Sequence, residues 1–164
     1  MTDKNTFWQE LKSGRFISMV KESSKGRSIS NSAEVYHVLK PMFDQEDDVE
    51  KAIFIFMDAR NRIIAIESLF AGSITAATIY PRELIKKIIS LKASAFVMAH
   101  NHPSGEISPS PEDKSITMKI GIAAASIDVA FHDHVIVGEG YHSMADEGWI
   151  KAVTDRFKDV ISSK

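Results

Sequence analysis

The residues that could do chemistry are concentrated in His100-Asn101-His102 and, after seven further residues, Ser110-Pro111-Glu112-Asp113. In a strand, residues i and i+2 project to one side. Imidazoles at 100 and 102, at a strand's end, can therefore meet one metal ion at the roughly 2.0–2.1 Å of a zinc–nitrogen bond. The loop between the two groups holds Gly105 and the prolines 103, 109 and 111, and it can fold back to bring a third ligand. Asp113, in the first turn of the next helix, is placed for that role. Two histidines and one carboxylate leave a fourth position on zinc open to water, the pattern of catalytic rather than structural sites. Each half of the segment also has an ordinary reading. Paired histidines occur as polar residues at strand edges. Ser at the N-cap, Pro at N1 and an acid at N3 make a good helix start. For Ser110 and Asp113 the two readings are compatible, because a helix N-terminus orients its side chains rigidly.

The elements that must position these residues follow from periodicity. Asn31 or Ser32 caps a short helix, AEVYHVLKPMF, expected to stop near Pro41. AIFIFMDA (52–59) and RIIAIESLF (62–70), joined through Asp58-Ala59-Arg60-Asn61, read as a β-hairpin whose near-continuous hydrophobicity suggests cover on both faces. Pro81 opens a helix with Leu84, Ile85, Ile88, Ile89 and Leu91 as its apolar stripe. SAFVMAH (94–100) is a buried strand, and residues 100–111 form a loop. A helix starts at Ser110, DVAFHDHVIVG (128–138) is a strand, and YHSM begins a short last strand. GWIKAVTDRFKDVI closes the chain as an amphipathic helix. This order predicts an α/β domain with a mixed sheet and helices on both faces.

The 164 residues leave room for one domain with a proper core, 44% apolar and 26% charged, with a net charge of -2. Such a balance does not hold a protein on nucleic acid or anionic lipid by bulk charge. The absence of cysteine excludes disulfides, Cys-ligated zinc, iron–sulfur clusters and thiol nucleophiles, and fits a cytoplasmic protein. The first residues carry scattered charges without an apolar core, so no signal peptide is expected. No apolar stretch approaches the ~18 residues of a membrane span. Residues 1–30, six basic against three acidic, read as a basic lead-in, helical or partly disordered. SSKGRSISNS (23–32) has linker composition, and residues 31–164 form the domain. The acidic run DQEDDVE (44–50) reads as a solvated turn.

The spacing H-x-H-x7-S-x-x-D resembles the metal-binding motif of JAB/MPN-type (JAMM) metalloproteases. The flanking residues narrow the likeness. AHNHPSGEISPSPED is similar to the signature loop of the RadC-like JAB domain. So are TIYPRELIKKIISLKASAFVMAHNHPSG upstream, DHVIVGEGYHSMADEGWI downstream and FMDARNRIIAIESLFAGS in the hairpin. The resemblance covers about residues 34 to 150. It implies a cytidine-deaminase-like three-layer α/β/α fold with one Zn2+ per chain, held by His100, His102 and Asp113. Ser110 would hydrogen-bond the water on the zinc or the developing oxyanion. A glutamate would act as general base: Glu50, ahead of the first strand, matches best, and Glu67 on the second strand is the competitor. The implied reaction is hydrolysis of a peptide or isopeptide bond in a peptide or protein substrate.

A second His-x-His stands at His132 and His134 around Asp133. Strand periodicity would put both imidazoles on one face, and a hydrogen-bonding role behind the ligands is expected for this trio. His37 and His142 carry no motif context and are expected at the surface or in polar contacts. Cytidine deaminase chemistry is excluded, because its zinc site needs a Pro-Cys-x-x-Cys segment. A JAB domain kept as a protein-binding platform, or a DNA-repair-associated module, is the alternative. Nucleic-acid binding draws only on scattered basic residues (Lys86, Lys87 and Lys92; Arg60 and Arg62; the lead-in). Only about 50 residues precede the first strand, fewer than the longer N-terminal region, with a helix-hairpin-helix-like element, of typical RadC-like chains.

Overall fold

A computed structural model describes Gln9 and residues 14–44, 48–71 and 79–163. Phe7, Trp8 and Leu11 of the lead-in, and positions 45–47 of the acidic run, lie outside the described residues. The elements are α1 (Arg15–Ser24), α2 (Ser32–Phe43), β1 (Lys51–Met57), β2 (Ile63–Ala71), α3 (Pro81–Leu91), β3 (Ala95–Asn101), α4 (Pro111–Ala125), β4 (Ala130–Gly138), β5 (Gly140–Ser143) and α5 (Trp149–Ser162). The strands form one mixed sheet in the order β2-β1-β3-β4-β5, in which only β3 and β4 run parallel.

Two cores make this a three-layer α/β/α domain. On one face, Val38, Leu39 and Met42 of α2 pack on Ile53, Ile55, Val97 and Val135, with Ile17 and Val20 of α1 against them. On the other, Leu84 and Ile88 of α3, Ile116 and Ile120 of α4 and Ile150 of α5 cover Phe54, Phe56, Phe96 and Met98. β1 and β3 are buried along their whole length. This is why both read as unbroken apolar runs rather than alternating ones. β2, at the sheet's edge, is only partly covered.

The helix at Ser32 covers the expected segment and ends at Phe43, two residues past Pro41. A proline there removes one N–H, yet the helix ends within one turn, and Asp44 N still donates to Lys40 O (3.0 Å). The Ser/Gly-rich stretch 23–32 is not a free linker. Ser24 closes α1, Gly26 N donates to Ile63 O (2.8 Å), and Ile63 N donates to Arg27 O (2.9 Å). A bridge between Ser28 and Arg62 extends this pairing. Backbone groups of polar sequence satisfy an open sheet edge as well as any others, so composition alone could not reveal the pairing.

Among the described residues, no helix is long and apolar enough to cross a membrane.

Candidate metal centre

The site is built where three elements end. β3 and β4 are adjacent and parallel, so the chain must leave the C-terminal end of β3 and return through a helix lying over the sheet. That helix, α4, starts beside the strand end that carries His100 and His102. Ser110 caps it: its Oγ accepts from Asp113 N (3.0 Å), while Asp113 Oδ2 accepts from Ser110 N (2.8 Å), and Pro111 follows at the first position. A cap of this kind contributes about 1 kcal/mol, and here it also locks the Asp113 carboxylate in place. The bond uses a lone pair of the Ser110 hydroxyl and leaves its O–H free to donate elsewhere.

β1 runs antiparallel to β3 with Ala52 opposite His100. Continuing that register by two residues sets Glu50 across from His102. The result is convergence from three directions. His100 Nε2 lies 2.8 Å from His102 Nε2, 3.1 Å from Asp113 Oδ1, and Asp113 Oδ2 is 3.4 Å from His102 Nε2. Glu50, His100 and His102 each offer a ligand atom within 4.8 Å of the others. Asp113 and Glu50 thus each reach the histidine pair, the first by its carboxylate at 3.1–3.4 Å and the second within 4.8 Å. Glu67 does not join them: it sits on β2, two strands from β3, and pairs with Lys87 at 2.8 Å.

The protons of this cluster can be assigned by elimination. Asp113 O, a carbonyl, can only accept, so Thr117 Oγ1 donates to it (2.6 Å). The Thr117 hydroxyl has one proton, so His134 Nδ1–H must donate to Thr117 Oγ1 (2.6 Å). In the neutral ring, His134 Nε2 is then a bare acceptor, and His100 Nδ1–H donates to it (2.7 Å). Complete burial drives the His134 pKa well below the usual histidine value, in agreement with a neutral ring. On the other side, His102 Nδ1–H donates to Glu106 O (2.8 Å). With a proton on Nδ1 of each ring, the Nε2 atoms of His100 and His102 face each other and the Asp113 carboxylate. Nitrogen and carboxylate donors gathered at such distances need a proton or a metal cation between them, and fixing a ligand through its far nitrogen is how metal-binding histidines are held.

A proton is the cation's competitor. The hydrogen bond to Asp113, working against partial burial, raises the His102 pKa above the usual value. Burial opposes the charge of Asp113, but the bonds from His100 and His102 outweigh it and hold that carboxyl well below the ordinary carboxylate range. Metal affinity should accordingly fall as pH drops through the raised His102 pKa, so the loss begins above about pH 6.5. Competition titrations with a chromophoric chelator between roughly pH 5.5 and 8 measure this, and an affinity flat across that range would contradict it.

The loop from His102 to Ser110 is docked on the β4–β5 turn. His102 N donates to Val137 O (2.8 Å) and Glu139 N to Gly105 O (2.9 Å). Gly138 permits this approach, since a Cβ there would stand 2.5 Å from Gly105 O. Beside His102 opens a cleft of about 240 Å³ lined by Lys40, Phe43, Asn101, Gly105 and Glu139, among others.

His132 and His134 do not share a face. The register with β3 slips between Phe96 and Val97, leaving His132 as an extra residue between Phe131 and Asp133. This β-bulge turns His132 outward, where Nε2 meets Asn61 Oδ1 (2.8 Å). It puts His134 on the face of His100. Asp133 points to the opposite face and accepts from Ser143 Oγ (2.6 Å) and Ala145 N (2.9 Å). Of the three, only His134 touches a candidate ligand. Sequence reasoning missed Thr117, whose signal was its place one turn after Asp113 on α4, and Asn101, which stood as the filler of His-x-His.

Residues 29–149 match the RadC-like JAB domain family, and the chain belongs to that family. It is 43% identical over 124 residues to a UPF0758 protein of Pseudomonas fluorescens, covering 75% of this chain and 55% of that protein. A UPF0758 protein of Vibrio cholerae is 41% identical over 96 residues, 58% of this chain and 61% of the relative. One from Actinobacillus pleuropneumoniae is 40% identical over 104 residues, 63% of this chain and 47% of the relative. The matched segments span about half to three-fifths of the length of these curated relatives.

Proposed function

We propose that this chain is a JAMM-type zinc hydrolase that cleaves a peptide or isopeptide bond. The observation that carries this reading is the convergence of donor atoms: His100 Nε2, His102 Nε2 and the Asp113 carboxylate lie 2.8–3.4 Å apart, with Glu50 beside the two imidazoles. His100, His102 and Asp113 would hold one Zn2+ per chain, a borderline cation suited to nitrogen and carboxylate donors. When bound, zinc makes a water acidic near neutral pH and polarises a carbonyl oxygen.

The chain's own groups do the rest. Glu50, half-buried beside the two imidazoles, takes the proton of the attacking water and delivers it to the leaving amine. Ser110, with its O–H free of the helix cap, donates to the oxyanion that develops on the carbonyl. Asp113 brings a single negative charge, so the site stays net cationic.

Protein purified without chelators is expected to carry about one zinc per chain by elemental analysis. It should release new amines from a panel of peptide and Lys-linked isopeptide substrates. Chelation should stop this release and zinc should restore it. Protein free of any metal at full folding would remove the reading.

A further inference from the structure

Asn101 lies between the two histidines but faces the other way. It is buried, at 5% exposure, on the side of the sheet where α2 packs. Its amide makes two bonds. Oδ1 accepts from Lys51 N (2.7 Å), and Nδ2 donates to Val49 O (3.0 Å). These two backbone groups flank Glu50. The β1–β3 ladder ends at the pair Ala52 and His100 and the β1–β2 ladder at Lys51 and Ala71, so Glu50 lies one residue beyond the last rung on either side.

We infer that Asn101 is the positioning residue for Glu50. Its side-chain amide carries the same donor and acceptor as a peptide group and supplies the missing rung of the ladder. Gripping the backbone on both sides of one residue sets that residue's peptide planes, and hence the direction of its side chain. Because strand side chains alternate, anchoring Val49 and Lys51 from one face aims Glu50 at the other, toward His100 and His102. A single strand thus presents two imidazoles on one face and, from the residue between them, the clamp that brings up the acid. This inference rests on the proposed hydrolase for the purpose of Glu50, but the clamp itself does not need a metal.

The test uses the full chain, with cobalt(II) as the metal probe. Asn101→Ala should make amide exchange at Lys51 about tenfold faster while leaving Ile53 to Met57 unchanged. The visible spectrum of the cobalt protein should move in the direction produced by Glu50→Gln, at unchanged stoichiometry. The isosteric Asn101→Asp guards against a packing defect. It keeps the acceptor for Lys51 and so its protection, but loses the donor to Val49, and its spectrum should move the same way. Unchanged Lys51 exchange in Asn101→Ala overturns the inference. So does a cobalt spectrum indifferent to Glu50→Gln, or Asn101 variants whose spectra superimpose on the parent's. If the parent chain binds no cobalt at all, the hydrolase reading fails, and exchange at Lys51 still decides the clamp by itself.

Discussion

Replacing His102 with alanine is expected to cost more than about 100-fold in zinc affinity and to leave the fold intact. Loss of a group behind a ligand already costs 10–100-fold, and a ligand itself should cost more. The substitution is informative because of where His102 stands. Its side chain is 16% exposed, at the loop rather than in the core, and its one further bond is to Glu106 O. Truncation there opens no sealed cavity. His100 is the less clean choice, being fully buried and bonded to His134. Removing it strands the His134 acceptor in the interior, a penalty of about 1–3 kcal/mol unrelated to metal. Isothermal titration of zinc into metal-free His102→Ala, with circular dichroism on the same sample, separates the two effects. Parent-like affinity in a folded His102→Ala chain would falsify the proposed ligand set.

Glu50→Gln should behave in the opposite way, retaining the metal while losing about 10²–10⁴-fold in turnover. The amide has the shape of the carboxylate but cannot take up the proton of water. The amide keeps the size of the side chain in its half-buried place at the head of β1, and circular dichroism on the same sample checks that the fold is retained. Glu67→Gln is the control. That carboxylate pairs with Lys87 at the partly exposed sheet edge, an arrangement worth at most about 1 kcal/mol, and its loss should leave turnover near the parent value. Amine release from a cleaved peptide, measured with zinc at saturation, ranks the three proteins. An active Glu50→Gln beside a silent Glu67→Gln would reverse the assignment of the base.

These expectations draw on different levels of the molecule. The histidine pair was readable because a two-residue period on a strand is a local property of the backbone. The start of α4 was equally readable, since Ser110, Pro111 and Asp113 satisfy one another within a single turn. The layered α/β class followed from apolar runs long enough to need cover on both sides.

What local pattern could not supply is register. The sequence contains Glu50 and Glu67 as two acids beside two apolar runs. Only the pairing of Ala52 with His100 brings the first to the imidazoles and leaves the second on the far strand. The same holds for His134. One extra residue at His132 shifts β4 against β3 and hands His100 a partner that strict alternation would have assigned differently. Asn101 and the residues of 23–32 likewise found their partners only through chain segments distant in sequence. The amino-acid order by itself determined the His-x-His motif with its downstream Ser and Asp, the helix cap and the layered class, each set by interactions a few residues apart. The tertiary structure alone decided which acid, which imidazole and which amide stand around that motif, because the burial of two sheet faces selects one strand alignment among many that the local pattern allows.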